Sequence, residues 1–256
     1  MFNKIQKFIL FDILRNRIVI AYTVLLSILA WSVFSLEDES YKGVLTLLNI
    51  VLLTTPLICI IFTTIYLYNS AEFIELMLSQ PIRRSKIWTG LFLGLFLSLA
   101  FAFLIGAGIP ILLFVSGKIA SILLIMGVLI TAVFVALGFL SAILTRDKAK
   151  GIGSSILLWL FFSLLFDGIV LFLLFQLSDY PIEKIMVGIS ALNPIDLARI
   201  FIILQLDVSA MLGYTGAIFK DFFGTGPGTM IGFSLLCIWV VLPYLISLRM
   251  FVKKDL

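Results

Sequence analysis

Of the residue types that most often bind metals or act in acid–base catalysis, this chain of 256 residues contains 14 carboxylates and two cysteines. Histidine is absent, which excludes His-based triads, His-ligated zinc and His acid–base catalysis. Cys59 and Cys237 both lie in apolar runs and are interpreted as small buried hydrophobes rather than a disulfide pair. Asp167 stands alone in another apolar run. One carboxylate does not make a catalytic constellation, so an enzyme is the least favoured interpretation, and we predict no metal site.

The elements that position these residues must cross a membrane. Apolar residues make up 62% of the chain and charged residues 12%, against about 45 to 50% and 25% in a soluble domain. Six stretches reach the roughly 20 apolar residues that cross a hydrocarbon core as a helix. They are residues 18–36, 43–68, 87–117, 119–145, 151–177 and 230–248. We therefore predict an all-α polytopic membrane protein with six transmembrane helices, forming a single domain over residues 1–256.

The basic residues predict how the chain is oriented. Six crossings place both termini on one side of the membrane, and most of the 18 Lys and Arg residues fall on that side. They cluster in segments 4–17, 83–86, 146–150 and 249–254. Because Lys and Arg are enriched in cytoplasmic loops, both termini are predicted to be cytoplasmic in the inner (plasma) membrane. The net charge of +4 follows from this asymmetry, and no basic domain is present to bind nucleic acid.

Asp167 lies about 16 residues into the fifth span. A carboxylate at such a depth is costly and faces a cavity or a partner. It can instead be protonated and hydrogen-bonded to a serine or a backbone carbonyl. The sequence leaves both possibilities open.

A cytoplasmic segment between the second and third spans forms the first candidate site. Asn69 can serve as a helix N-cap, Glu72 can complete a capping box, and the helix should end before Pro81. Its apolar side is predicted to contain Phe73, Leu76 and Met77, flanked by Ile74 and Leu78. Glu72 and Glu75 lie on the opposite side. This helix is either an interfacial helix on anionic lipid or, because its polar side is acidic, a docking surface for a cytoplasmic protein.

The second long segment, residues 178–229, lies on the outer side before the last span. Its charges make a seventh crossing unfavourable, at about 2.5 to 3.5 kcal/mol for each charge near a helix centre. Asn193 followed by Pro194 predicts the start of an amphipathic helix that rests on or dips into the outer leaflet. Because the segment is long for a connector, we favour a role in contacting a partner or in gating. The candidate residues are Asn193, Pro194, Asp196, Arg199 and Asp207.

The chain contains no phosphate-binding loop. Its Gly117-Lys118 pair is followed by Ile119 and lacks the glycine that a phosphate-binding loop carries upstream. If ATP drives movement, another chain must bind it, and the acidic cytoplasmic helix is the natural contact.

With its six spans, the cytoplasmic string ELMLSQPIRRSKIWTG and the outer segment, the chain resembles the membrane subunit of type-two ABC exporters. In that family a glutamate followed by serine, proline and basic residues forms a coupling helix that sits in a groove of the ATPase. The resemblance implies coupling roles for Glu75, Leu78, Ser79, Gln80, Pro81, Arg83 and Arg84. We add Glu72, the other carboxylate of the acidic helix, because the whole helix is expected to contact the ATPase. It also implies a homodimer with separate ATPase subunits that bind ATP and Mg²⁺, while this chain binds no cofactor.

A narrower resemblance lies in residues 192–219, LNPIDLARIFIILQLDVSAMLGYTGAIF. This string is similar to permeases of transporters that support maturation of nitrous oxide reductase, a copper enzyme with a copper-sulfur centre. The resemblance implies a periplasmic partner and a sulfur species or copper as cargo. Proteins that conduct copper present converging His, Cys or Met ligands. This chain has no histidine and two isolated cysteines. We therefore hypothesise that the periplasmic partner holds any copper. The alternatives are an exporter of another substrate class and a non-transporting anchor or mechanotransmitter.

Overall fold

The described part of the chain is built entirely from helices. The computed structural model describes residues 9–37, 40–115, 117–176, 188–204, 206 and 226–253. Within these residues, six helices are long and apolar enough to cross a membrane: Arg17–Leu36, Tyr41–Asn69, Arg84–Phe114, Gly117–Leu144, Lys148–Leu173 and Gly228–Lys253. The predicted all-α class and the number and order of the spans are confirmed.

The helices are numbered in chain order. The first four are α1 (9–14), α2 (Arg17–Leu36), α3 (Ser40–Asn69) and α4 (Ala71–Leu78). Helix α5 consists of Arg84–Phe103, a π-helical turn at Leu104–Gly108, and Ile109–Phe114. Helix α6 is Gly117–Leu144, and α7 consists of Lys148–Leu160, a π-helical turn at Phe161–Leu165, and Phe166–Gln176. The last two are α8 (Pro194–Ile203) and α9 (Gly226–Lys253).

Helix α6 forms the centre of the bundle. It packs most extensively against α3 and α9 and also contacts α5, α7 and α8. All residues from 130 to 139 are buried, as expected for a helix that is apolar on every side. Helix α7 differs from α6, because only 17% of the residues in an apolar 18-residue stretch of this span are buried inside the protein. Most of α7 is therefore available to lipid or to another subunit.

The π-helical turn of α5 has a local cause. Pro110 has no backbone N–H, so a regular helix would leave a carbonyl one turn earlier without its partner, and a wider turn accommodates this. Gly106 lies in the turn, where a Cβ would come within 2.8 Å of the Thr23 carbonyl oxygen of α2. The glycine thus permits close approach of α2 to α5.

Hydroxyl groups connect three helices inside the bundle. The Thr64 and Ser155 hydroxyl oxygens, on α3 and α7, lie 2.7 Å apart. Ser155 also donates to Ser141 Oγ of α6 at 2.9 Å. Because no water is present in the hydrocarbon core, such hydroxyls need protein partners, and these bonds hold α3, α6 and α7 in one arrangement.

Candidate functional site

The cytoplasmic candidate site is built on α4, which packs against α3 and α5. The helix starts after Ser70 and ends before Pro81, and this predicted end is confirmed. The predicted N-cap is wrong, because Asn69 is the last residue of α3 and its Oδ1 accepts a hydrogen bond from Lys148 Nζ at 2.7 Å. The predicted capping box therefore does not form. Asn69 instead ties the end of α3 to the start of α7.

Burial on α4 differs in part from the predicted pattern. Ile74 is the buried side chain, at 7% exposure, whereas Leu76 is 65% exposed. Six of the eight predicted coupling residues are exposed, namely Glu72, Glu75, Ser79, Gln80, Pro81 and Arg83. Leu78 and Arg84 are half-buried. The exposed surface of α4 thus combines two carboxylates with Ala71 and the large apolar side chain of Leu76, and such charged groups can be recognised by a protein of complementary charge.

A cavity of about 370 Å³ lies beside α4. Its lining includes Ile74 and Glu75 from α4, Trp88 from α5, Phe251 from α9 and Arg146 from the loop after α6. Helix α4 therefore borders the ends of several spans at once, and Glu75 and Arg146 bring opposite charges to the same cavity.

Polar and aromatic contacts connect the spans around this cavity. Trp88 Nε1 donates to Ser247 Oγ at 3.1 Å, and the Trp88 ring stacks on Phe251 with centroids 4.2 Å apart, which joins α5 to α9. The Tyr68 hydroxyl donates to the Thr145 carbonyl oxygen at 3.0 Å and so joins α3 to the end of α6. A force on α4 would act on a connected set of helix ends rather than on one helix.

The outer candidate site is built around α8, which starts at Asn193 and Pro194 as predicted. Asn193 is fully buried. Its Oδ1 accepts from the Ile195 backbone N–H at 3.0 Å, and its Nδ2 donates to the Phe162 carbonyl oxygen at 2.9 Å. Phe162 lies in the π-helical turn of α7, where the regular backbone pattern is interrupted. One side chain thus caps α8 and anchors it to α7.

Helix α8 is packed inside the bundle. Leu197 is completely buried and Phe201 is 7% exposed. The helix contacts α3, α6, α9 and the π-helical turn of α7. This corrects the expectation of a helix resting on the outer leaflet, because the apolar side of α8 meets other helices instead of lipid. Asp207, also predicted for this site, lies outside the described residues.

Two carboxylates and one guanidinium meet between α7 and α8. Arg199 Nη1 lies 3.2 Å from Asp167 Oδ2 and 3.4 Å from Asp196 Oδ1. The sequence leaves the partner of Asp167 open, and the structure supplies an oppositely charged one, Arg199. The available signal was that Asp167 is the one charged residue within residues 151–177, where a lone charge needs a counter-ion.

The environment of Asp196 changes its protonation. Helix α8 is not among the six candidate spans. Burial and then the neighbouring Asp167 carboxylate raise the pKa of Asp196 to about 7, while Arg199 acts in the opposite direction. Asp196 is therefore partly protonated at neutral pH.

Replacing Asn193 by alanine should lower the free energy of unfolding by about 2 kcal/mol. The variant loses a helix cap, worth about 1 kcal/mol, and leaves the Phe162 carbonyl without its donor, which costs about 1 kcal/mol more. The matched control is Asn16→Ala, which removes an exposed cap of α2 whose Oδ1 accepts from the Ile18 backbone N–H at 2.9 Å. Thermal unfolding in detergent compares the two, and equal losses would contradict a role for the amide donor.

Comparison with known proteins decides the family. A family model described as ABC-2 family transporter protein matches residues 73–256. The chain belongs to this family. A Pseudomonas aeruginosa protein, "Probable ABC transporter permease protein NosY", is 31% identical over 225 residues, covering 79% of this chain and 81% of the relative. A Stutzerimonas stutzeri protein of the same name is 27% identical over 210 residues, covering 74% of this chain and 76% of the relative.

Apart from Glu72, which precedes the match, the residues of both candidate sites of this ABC-2 permease lie within the family match. The match begins at Phe73 inside α4 and extends through α8 and α9. The chain is thus a permease subunit of an ABC transporter and a multi-pass membrane protein.

Proposed function

We propose that this ABC-2 permease serves a transporter that supports assembly of the copper-sulfur centre of nitrous oxide reductase. The similarity to the Pseudomonas aeruginosa permease named NosY, which extends over 79% of this chain, carries the proposal. The resemblance of residues 192–219 to permeases of that maturation pathway supports it. The cargo is a sulfur species or copper, or else the permease passes ATPase-driven motion to a periplasmic partner.

In the proposed assembly, ATP is bound and hydrolysed by subunits other than this chain. Two permease copies form a homodimer in the inner membrane with their termini in the cytoplasm. Separate ATPase subunits bind ATP and Mg²⁺ and contact the coupling surface, defined as Glu72, Glu75 and Leu78 to Pro81 with Arg83 and Arg84. The exposure of six of these residues supports this docking role.

Contacts inside the bundle provide a route for motion from the coupling surface to α8. Helix α7 is tied to α3 and α6 by the bonds of Ser155 and by the Lys148 bond to Asn69. Farther along α7, the Phe162 carbonyl accepts from Asn193, the N-cap of α8. Motion of α7 therefore reaches α8, where a NosD-type periplasmic protein can respond. That partner, rather than the permease, holds any copper.

Complementation tests the proposal. In a strain that lacks its own permease of this type, nitrous oxide reductase should be made without its copper-sulfur centre, and this chain should restore the centre when expressed with its ATPase. The measurement is the absorption spectrum and copper content of the purified reductase. The Pseudomonas aeruginosa relative is the positive control. If the relative restores the centre and this chain does not, the nitrous oxide reductase assignment is wrong, although the ABC permease assignment would stand.

A further inference from the structure

The charged cluster between α7 and α8, formed by Asp167, Asp196 and Arg199, is not balanced in charge. One Arg199 nitrogen contacts both carboxylates, so the fully ionised cluster carries a net charge of −1. The Asp196 side chain is only 15% exposed. A net charge in such surroundings is unfavourable, and one bound proton removes it.

Two polar atoms near the cluster have unused hydrogen-bonding capacity. Arg199 Nε is buried and has no hydrogen-bond partner among the described residues. The Ser163 hydroxyl is also buried without such a partner, at 8% residue exposure. Ser163 lies four residues before Asp167 and therefore on the same side of α7. Because buried polar atoms are normally hydrogen-bonded, these two atoms mark a place beside the cluster that can hold one further polar group.

We propose that Asp167 and Asp196 form a proton-binding site whose occupancy sets how firmly α8 is held in the bundle. The two carboxylates belong to different helices, and Arg199 joins them. With one proton bound, the cluster is neutral and α8 stays attached to α7. Loss of the proton places two like charges at the contact between the helices, which weakens that contact.

Within the described part of the chain, few groups can alter the titration of Asp196. The groups that act on it are Asp167 from α7, Arg199 from its own helix, and the Asn193 side chain that precedes α8. Helices α3, α6 and α9 also pack against α8. Their described ionisable groups are Tyr41, Lys42, Cys59, Tyr66, Tyr68, Lys118, Cys237, Tyr244, Arg249 and Lys253, and none is among the groups that shift Asp196.

The direction of the pH effect follows from the raised pKa. When α8 is packed against α7, the docked form, the pKa of Asp196 is about 7. When α8 is detached from α7, the same carboxyl has its ordinary pKa of 3.8. The docked form therefore binds the Asp196 proton more tightly. Docking of α8 is therefore strongest below about pH 4, weakens as pH rises toward 7, and becomes constant above that.

Hydrogen–deuterium exchange of the full chain in lipid nanodiscs tests this site. Protection of residues 194–203, corrected for intrinsic exchange, should fall about tenfold or more between pH 5 and pH 8, since each unit of pKa difference corresponds to a tenfold change. Asp196→Asn should keep high protection at both pH values, and Asp196→Glu should retain the pH dependence. The control is Glu37→Gln, which removes a carboxylate after α2, on the same side of the membrane as α8 and outside the cluster.

Two outcomes would overturn the proposal: constant protection of α8 in the unmodified chain, or an unchanged pH dependence in Asp196→Asn. If that variant fails to fold, the pH dependence in Asp196→Glu and Asp167→Asn decides, since removal of the neighbouring charge should shift the transition to lower pH. The measurement requires neither ATPase nor cargo. Its failure would leave the proposed function intact, and failed complementation would leave the proton site intact.

Discussion

Replacing Glu72 and Glu75 together by lysine should reduce permease-stimulated ATP hydrolysis by about tenfold or more, while the permease still inserts and folds. Both carboxylates are exposed on α4, so the folded permease does not depend on them. The proposed coupling surface predicts basic groups on the ATPase opposite these carboxylates. Charge reversal would place like charges together there, which costs several kcal/mol at an interface. ATP hydrolysis by the reconstituted complex measures the effect, together with co-purification of the ATPase.

The control for this charge reversal is Glu37→Lys, at the end of α2 on the opposite side of the membrane from α4. It changes the charge of the protein in the same direction without altering the coupling surface. Neutral Glu72→Gln with Glu75→Gln should give an intermediate loss. Full ATPase stimulation by the doubly reversed variant would show that α4 does not mediate coupling.

The spans could be predicted because hydropathy sums over about 20 residues, so single exceptions do not hide the signal. The start of a helix could be predicted where one side chain caps it, as Asn193 does before Pro194. The prediction failed at Asn69, because α3 continues through Asn69, one residue beyond its apolar run, and Lys148 donates a hydrogen bond to the Asn69 side chain. Local sequence contains no information about that distant lysine.

The buried side of α4 was also difficult to predict. Five of its eight residues are large and apolar, so a helical projection does not distinguish a side centred on Ile74 from one centred on Leu76. Contact with α3 and α5 decides in favour of Ile74. Similarly, Asp167 and Arg199 are 32 positions apart, and their pairing depends on how α8 folds back into the bundle.

Replacing Arg199 by methionine should lower the free energy of unfolding at pH 8 by about 3 kcal/mol. Removing one partner of a fully buried ion pair costs about 3 to 5 kcal/mol, and the lower value applies because the Arg199 side chain is 33% exposed. The loss is large for one residue because two carboxylates share this guanidinium and both are left without it. Thermal unfolding in detergent measures the change.

Low pH should partly restore the Arg199→Met variant. At pH 5, below the raised pKa of Asp196, that carboxyl is protonated and no longer needs the guanidinium, so the difference from the unmodified chain should be clearly smaller than at pH 8. Asp167→Asn is the matched control, because Arg199 then keeps Asp196 as its partner and the expected loss at pH 8 is only about 1 kcal/mol. Equal destabilisation of the two variants at pH 8, or a loss in Arg199→Met that persists unchanged at pH 5, would show that Arg199 stabilises α8 through packing rather than through its charge.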